Sequence, residues 1–248
     1  MAESTPRRSF IGRAAATAAA MMCGSILGRD LGAQSVAGSI GGAAGASSSR
    51  PVSDTWDMSW VDRVTGSHRM VFDCPTIESG TVLHQAFTWM KDYQEVYGAK
   101  DSDMSGVIVI RHAAIHMVLN DKLWDELDLA RTLARMEGPS AKPLPDPVTG
   151  EPARRNPFVA SSLRGGRFGG MAMEASAMDS LMARGVTILC CNLALRRAVS
   201  IVASKEGVDQ DTARAKVLAN LVPGVIVMPS GIFAVTRAQE AGCNFLQV

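Results

Sequence analysis

Short apolar runs alternate with helical patterns from His68 onward, and this alternation is the main signal in the chain. The run G-V-I-V-I at Gly106–Ile110 is continuous and β-branched, which is typical of a strand covered on both faces. The predicted strands are Arg69–Asp73, Gly106–Ile110, Val186 to Cys190 or Cys191, Val225–Met228 and Asn244–Gln247. Strand–helix–strand repeats of this kind predict right-handed crossovers. The sequence therefore predicts a three-layer α/β/α domain with a five-stranded, mainly parallel sheet.

The predicted helices lie between these strands and carry recognisable start and stop residues. Asn192, Asp209 and Ser230 are each suited to cap a helix, while Gly98 and Gly207 are suited to end one. The predicted helices are Glu78–Tyr97, a helix that carries Leu119, Leu123, Trp124 and Leu127, then Ala172–Arg184, Leu193–Lys205, Asp209 to about Leu221, and Ile232–Glu240.

One long polar segment interrupts the alternation, from about 137 to 160. It contains the motifs P-L-P-D-P and R-R-N-P, so it is predicted to be neither a helix nor a central strand. Segments of this length in compact domains are commonly active-site lids or partner-binding loops. The glycines from Gly165 to Gly170 predict a flexible hinge directly after it.

The N-terminus resembles a twin-arginine (Tat) export signal. Arg7 and Arg8 precede Ser9-Phe10-Ile11, and an alanine-rich apolar stretch follows. We expect residues 1–37 to be the signal peptide, 38–62 to be a flexible linker and N-terminal extension, and 63–248 to be the folded domain. This implies a periplasmic mature protein without an integral membrane segment, because the apolar stretch is too short to span a bilayer.

Composition and charge exclude several classes of function. The 248 residues include 25 Lys and Arg against 24 Asp and Glu, so no basic excess indicates binding of nucleic acid. Aromatic residues make up only 5%, which also argues against a stacking surface for single strands. A Walker loop, a G-x-G-x-x-G motif after the first strand and a G-x-S-x-G elbow are all absent from the sequence.

The chain resembles the DsrE/DsrF-like family, most strongly from Gly185 onward. The resemblance is carried by G-V-T-I-L-C-C-N-L-A-L-R-R, followed by L-V-P-G-V-I-V-M-P-S-G-I-F-A-V-T-R-A-Q-E-A-G-C-N-F. It covers about Arg69 to Val248 without the Pro-rich segment. It implies a five-stranded α/β domain that forms homo-oligomers. In some members of the family, a cysteine after the third strand relays sulfur as a persulfide.

Candidate site residues follow the predicted strands, at the sheet edge where ligands gather in open parallel sheets. Cys74, His112, Cys191 and Ser230 follow the first four strands. Since side chains alternate across a sheet, Cys190 and Cys191 are predicted to point to opposite faces, with Cys190 in the core.

Cys191 is the candidate thiol, with Cys74 and His112 as its assistants. It precedes the predicted Asn192 cap, where helix N–H groups favour a thiolate. Arg196 and Arg197 follow one turn later and add positive charge, so Asn192, Arg196, Arg197 and Ser230 are the candidate ligand-binding residues.

Several other interpretations remain open at the level of sequence. Cys191 could be an inert core residue. His112 and His116 could place two imidazoles on one helical face, as a metal site requires, or His112 could cap the start of a helix with His116 on its surface. Cys74 and Cys191 could form a disulfide if their strands are neighbours.

Two functions are compatible with these patterns. In the first, Cys191 carries sulfur in a thiol-based relay and exchanges it with a sulfur-relay or redox partner protein. In the second, the protein is a non-catalytic periplasmic module that binds a ligand or assembles with other subunits. Both include a homo-oligomer, and the sequence assigns no cofactor and no metal.

Overall fold

The structure of the protein is a computed structural model that describes residues 56–168 and 170–248. The Tat signal predicted over residues 1–37, and the linker predicted after it as far as residue 55, lie outside the described residues. Both stay predictions. Trp60 at the start of the described chain is fully buried against the domain.

A five-stranded parallel sheet forms the middle layer of the domain. The strands in chain order are β1 (His68–Cys74), β2 (Met104–Ile110), β3 (Arg167–Phe168), β4 (Met171–Ala172), β5 (Thr187–Cys191), β6 (Ile226–Met228) and β7 (Asn244–Gln247). The sheet has the order β6-β5-β2-β1-β7, and all its neighbouring strands are parallel. The predicted three-layer α/β/α fold is therefore confirmed. β3 and β4 form a separate antiparallel pair.

Helices cover both faces of the sheet. They are α1 (Thr81–Tyr97), α2 (Asp121–Glu126), α3 (Leu129–Glu137), α4 (Ala160–Leu163), α5 (Met178–Ala183), α6 (Asn192–Glu206), α7 (Gln210–Ala219) and α8 (Gly231–Glu240). Short 3-10 helices occur at Ser59–Arg63, Glu78–Gly80, Asp101–Asp103, His112–Val118 and Met173–Ser176.

The core has two parts, one on each face of the sheet. On the first face, side chains of α1 to α3 and of α5 to α7 pack with sheet residues such as Phe72, Ile108 and Ile188. On the second face, α8 and the 3-10 helix Ser59–Arg63 pack on Val71, Val109 and Leu189. Successive side chains of a strand point to opposite faces of the sheet. A strand whose residues are all apolar is therefore buried on both faces.

Helix boundaries follow the expected local chemistry in most places. α1 buries Val82, Leu83, Ala86 and Met90, which share one side of a helix, and ends where Gly98 adopts a left-handed conformation. Asp209 accepts a hydrogen bond from the Thr212 N–H at 2.8 Å and so caps α7.

The helix predicted to carry Leu119, Leu123, Trp124 and Leu127 is not continuous, and this prediction is wrong. A 3-10 helix covers His112–Val118, and Leu119 is extended and bridges Leu221. Asn120 then begins a new helix by accepting a hydrogen bond from the Leu123 N–H at 3.2 Å. The cap at Asn120 separates apolar positions whose spacing alone fitted one helix.

The glycine-rich stretch differs from the prediction too. The expected hinge from Gly165 to Gly170 contains β3, which pairs with β4 through Arg167↔Ala172 and Phe168↔Met171. The helix predicted over Ala172–Arg184 is divided between the 3-10 helix Met173–Ser176 and α5.

The Pro-rich segment contains no helix or strand from 138 to 159, as predicted. Internal hydrogen bonds nevertheless give it a defined shape. Asp146 accepts from the N–H groups of Val148 and Thr149, and the chain returns so that Pro145 bridges Pro152. Asn156 is fully buried and donates 2.7 Å hydrogen bonds to the carbonyl groups of Met117 and Leu119.

Candidate functional site

The carboxyl ends of β5 and β6 lie at the point where the chain changes faces. After β5 the chain continues into α6 on the first face, whereas after β6 it continues into α8 on the second face. In open parallel sheets the crevice at such a switch point is the usual place for ligands. Cys191 ends β5 at this position and pairs with Met228 of β6.

Cys191 itself caps α6. Its Sγ accepts a hydrogen bond from the Ala194 N–H at 3.4 Å, and its backbone is extended. The prediction that Asn192 is the cap is therefore wrong by one residue, because sulfur takes the role usually played by a side-chain oxygen. Asn192 is the first helical residue, and its Oδ1 accepts a 2.7 Å hydrogen bond from Arg214.

A buried ion pair lies on the same side of the sheet as α8. Arg111, directly after β2, donates from Nε and from one terminal nitrogen to the two carboxylate oxygens of Asp73, each at 2.6 Å. The Asp73 side chain is only 5% exposed and the Arg111 side chain 19%. The hydrogen bonds that Arg111 donates to Asp73 raise the pKa of Arg111 above its usual value, and negative charge on the sulfur of Cys191 or Cys74 acts in the same direction.

Gly231 gives Arg111 the space to occupy this position. A Cβ atom at Gly231 would lie 2.6 Å from Cδ of Arg111 and 2.8 Å from its Cβ. The first residue of α8 therefore packs directly on the arginine side chain. Asp73, Arg111 and the start of α8 form one contiguous group, and the pairing of Ile110 with Cys190 sets Arg111 alongside Cys191.

The neighbouring cysteines belong to the other face. Cys74 and Cys190 lie in the first-face core, and burial raises the pKa of each thiol to about 12. The prediction that Cys190 is a packing residue is confirmed. The Cys74 thiol donates to the Thr76 carbonyl at 3.1 Å, so the structure does not bring it to Cys191 as an assistant.

A disulfide between Cys74 and Cys191 is excluded by the strand order. β2 lies between β1 and β5, and two strand spacings separate the Cα atoms by about 9.5 Å. Disulfides require Cα atoms within about 7 Å. The four described cysteines, Cys74, Cys190, Cys191 and Cys243, are all free.

His112, Arg196 and Arg197 meet in a different place, a surface groove of about 710 Å³ along α6. His112 lines the groove, and its backbone is in the left-handed region with φ 48°. Ala194, whose N–H binds Cys191, lines the same groove. The groove and the Asp73–Arg111 pair thus flank the start of α6 from two sides. Ser230 caps α8 by accepting from the Phe233 N–H at 3.1 Å.

The two histidines do not form a metal site. His116 is buried, its Nδ1 lies 3.1 Å from the Ala113 carbonyl oxygen, and burial lowers its pKa to about 4. In the described part of the chain, His, Cys, Asp and Glu side chains do not gather in any group of three that could hold a metal ion.

Sequence reasoning missed the pairing of Asp73 with Arg111. A signal was available, because each residue is a charged position at the end of an apolar strand run, and the two runs are consecutive. A carboxylate and a guanidinium at adjacent carboxyl ends of parallel strands on one face are placed to pair.

No protein-family model and no curated protein matches the chain. Among solved structures, the chain is similar to the protein of unknown function MTH1491 from Methanobacterium thermoautotrophicum. The TM-score is 0.35 at 14% sequence identity, over 73% of this chain and 99% of that one.

Within residues 56–168 and 170–248, every helix is too short or too polar to cross a membrane.

Proposed function

We propose that the protein is a DsrE-like sulfur carrier in which Cys191 holds sulfane sulfur. One observation carries the proposal: the Cys191 sulfur accepts the Ala194 N–H at the first turn of α6, beside the Asp73–Arg111 pair. Helix N–H groups and a nearby guanidinium favour negative charge on sulfur. The DsrE/DsrF-like resemblance of the segment around Cys191 supports the same role.

The proposed reaction is a transfer between thiols. The Cys191 thiolate attacks the outer sulfur of a persulfide on a donor protein or small thiol. The donor sulfur–sulfur bond breaks, the donor leaves as a thiolate, and Cys191 becomes a persulfide. An acceptor thiolate then attacks the outer sulfur in the same way and releases the Cys191 thiolate, so no external oxidant or reductant is consumed.

Arg111 and the groove have separate roles in this proposal. Asp73 holds the guanidinium in place, so Arg111 supplies a fixed positive charge to the thiolate and to its persulfide. The groove that contains His112, Arg196 and Arg197 offers positive charge for an acidic donor or acceptor.

The test is site-resolved thiol chemistry on the purified full-length protein. Incubation with a low-molecular-weight persulfide, followed by blocking and peptide mass spectrometry, should place one added sulfur atom on Cys191. Iodoacetamide should label Cys191 before Cys74, Cys190 and Cys243. Cys190→Ser is the matched control, since it removes the adjacent thiol on the opposite face and should leave sulfur loading intact. Loading that survives in Cys191→Ser would end the proposal.

A second candidate function is a non-catalytic module that binds a ligand or assembles with partners. The observation that favours it is the low exposure of Cys191, only 6%. In that case Cys191 resists labelling until the protein unfolds, and Cys191→Ser binds and assembles as the wild type does.

The proposal also includes the cellular setting. We propose export to the periplasm by the Tat pathway, supported by the Arg7-Arg8 motif and the apolar stretch after it. A sulfur-relay or redox partner is required to load and unload the thiol. We further propose a homo-oligomer, supported by the exposed apolar side chains of Ile232, Phe233, Phe245 and Leu246.

A further inference from the structure

We infer that the domain contains a second site, separate from Cys191, that binds a small, uncharged and mainly apolar molecule. It is a cavity of about 450 Å³ between the Pro-rich segment and the start of α1. This volume lies within the range of small-molecule sites in proteins. The site is independent of the proposed sulfur chemistry.

The chemistry of the lining defines the class of ligand. Most of the lining residues are Leu, Pro, Phe or Met, including Leu83, Leu144, Phe158 and Leu163. The described residues that line the cavity include His84 but no Asp, Glu, Lys or Arg. A charged ligand would lose its hydration without meeting a carboxylate, a lysine or an arginine, so an uncharged molecule is favoured. Hydroxyl groups of Ser79 and Ser176 are available at the wall for a polar substituent.

The Pro-rich wall is held in place before any ligand arrives. Asn156 bonds the carbonyl groups of Met117 and Leu119, and its Oδ1 accepts from the Phe158 N–H at 2.8 Å. The Phe158 carbonyl accepts from Met178, and its ring contacts Trp124 edge-on. Phe158 therefore has a fixed position, and a preformed wall lowers the entropic cost of binding.

The opposite wall has a strained backbone. Glu78 and Ser79 have φ angles of 34° and 55°, which are unusual for residues other than glycine, and Gly80 follows at 81°. A Cβ atom at Gly80 would lie only 2.9 Å from the Phe158 ring. Consecutive left-handed residues persist where the surroundings hold them, and they concentrate at binding sites. Here they bring Ser79 and Gly80 against the cavity.

The experiment uses N-phenyl-1-naphthylamine, an uncharged apolar probe whose fluorescence rises in an apolar site. Titration of the full-length protein should give one saturable site. Ser176→Phe places a ring in the cavity and should weaken binding at least about tenfold. The Ser176 hydroxyl bonds only to the Met173 carbonyl of its own short helix, so the substitution disturbs few other contacts. Pro147→Glu is the second variant, and its carboxylate should weaken binding of the same probe.

Circular dichroism and the unfolding midpoint establish that each variant is folded. Cys191→Ser is the matched control and should bind the probe as the wild type does, so this test and the sulfur-carrier test can fail separately. Absence of saturable binding, or equal affinity in wild type and both variants, overturns the inference. Equally tight binding of the anionic probe 8-anilinonaphthalene-1-sulfonate overturns the assignment to uncharged ligands.

Discussion

Arg111 and Asp73 form a bidentate ion pair at the carboxyl ends of two adjacent parallel strands. Both hydrogen bonds are 2.6 Å long, and both side chains are largely shielded from water. Asp73 orients the Arg111 guanidinium, and the pairing of Ile110 with Cys190 sets Arg111 alongside Cys191. The ion pair also joins β1 to the residue after β2. It therefore links the stability of the domain to the geometry of the candidate thiol site.

Removing Asp73 from the ion pair should lower the stability of the domain. Asp73→Asn leaves the guanidinium shielded without its countercharge, and we expect the free energy of unfolding to fall by about 3 kcal/mol. Urea unfolding followed by circular dichroism measures this. Arg237→Met removes the exposed pair with Glu240 and should cost under about 0.5 kcal/mol. The double variant Asp73→Leu with Arg111→Met should be more stable than either single variant. Equal effects of Asp73→Asn and Arg237→Met would contradict this account.

A single methyl group at Gly231 should disturb the same pair. Gly231→Ala places a Cβ within 2.6 Å of the Arg111 side chain, so the guanidinium must shift or α8 must move. We expect a loss of about 1–3 kcal/mol, typical of overpacking, and a changed rate of Cys191 alkylation. Gly98→Ala is the comparison for the alkylation rate only, because its added Cβ meets nothing within 4 Å, whereas its positive φ of 66° strains the backbone by itself. An alkylation rate that changes equally in both variants would argue against a role for Arg111.

Burial of His116 predicts loss of stability in acid. Its pKa falls from 6.5 to about 4 in the folded protein, so the unfolded chain binds the proton more readily. Stability is therefore fully present above the unfolded value of 6.5 and declines as the pH falls toward 4, by about 3 kcal/mol. Unfolding midpoints measured across this range should give a shallower profile for His116→Gln. An unchanged slope in His116→Gln would refute the assignment.

Export should depend on the arginine pair. Substitution of Arg7 and Arg8 with lysine should block transport, since the two guanidinium groups are the recognition element of the proposed pathway. Fractionation and immunoblotting of cells that express each form provide the measurement. Normal amounts of the lysine variant in the periplasm would remove the export proposal.

Assembly should depend on the exposed apolar residues near α8 and β7. We expect a dimer or trimer that buries at least about 1,000 Å² per contact. Ile232 is 77% exposed, so Ile232→Glu should lower the mass measured by light scattering. Val96→Glu is the control, because Val96 is an exposed apolar residue on a different helix, α1. A wild-type mass equal to one chain at all concentrations would rule out the oligomer.

The fold was predictable because its signals are local. Uninterrupted β-branched runs such as Gly106–Ile110 and caps such as Asp209 act within a few residues, and both correspond to elements in the structure. The region from His112 to Leu127 was harder to predict, because the spacing of its apolar residues does not show that a new helix begins after Asn120. There, pairing of Leu119 with Leu221, distant in sequence, takes precedence over helical continuity.

The site was less predictable than the fold. The sequence placed Cys191 at the end of a strand, but the residues that surround it depend on strand order. Because β2 separates β1 from β5, Cys74 is not a neighbour, and Arg111 reaches the thiol's side of the sheet instead. Strand order is a property of the whole chain that no local pattern encodes.

The same strand order has a consequence for folding. β1 pairs with β2 nearby in sequence, but its other edge is closed by β7, where Met70 pairs with Asn244. Contacts between such distant residues form late, because a long loop must be closed first. Until then the outer edge of β1 presents unpaired N–H and C=O groups to any other extended chain. Refolding at high concentration should therefore produce aggregates through this edge, and dilution should suppress them.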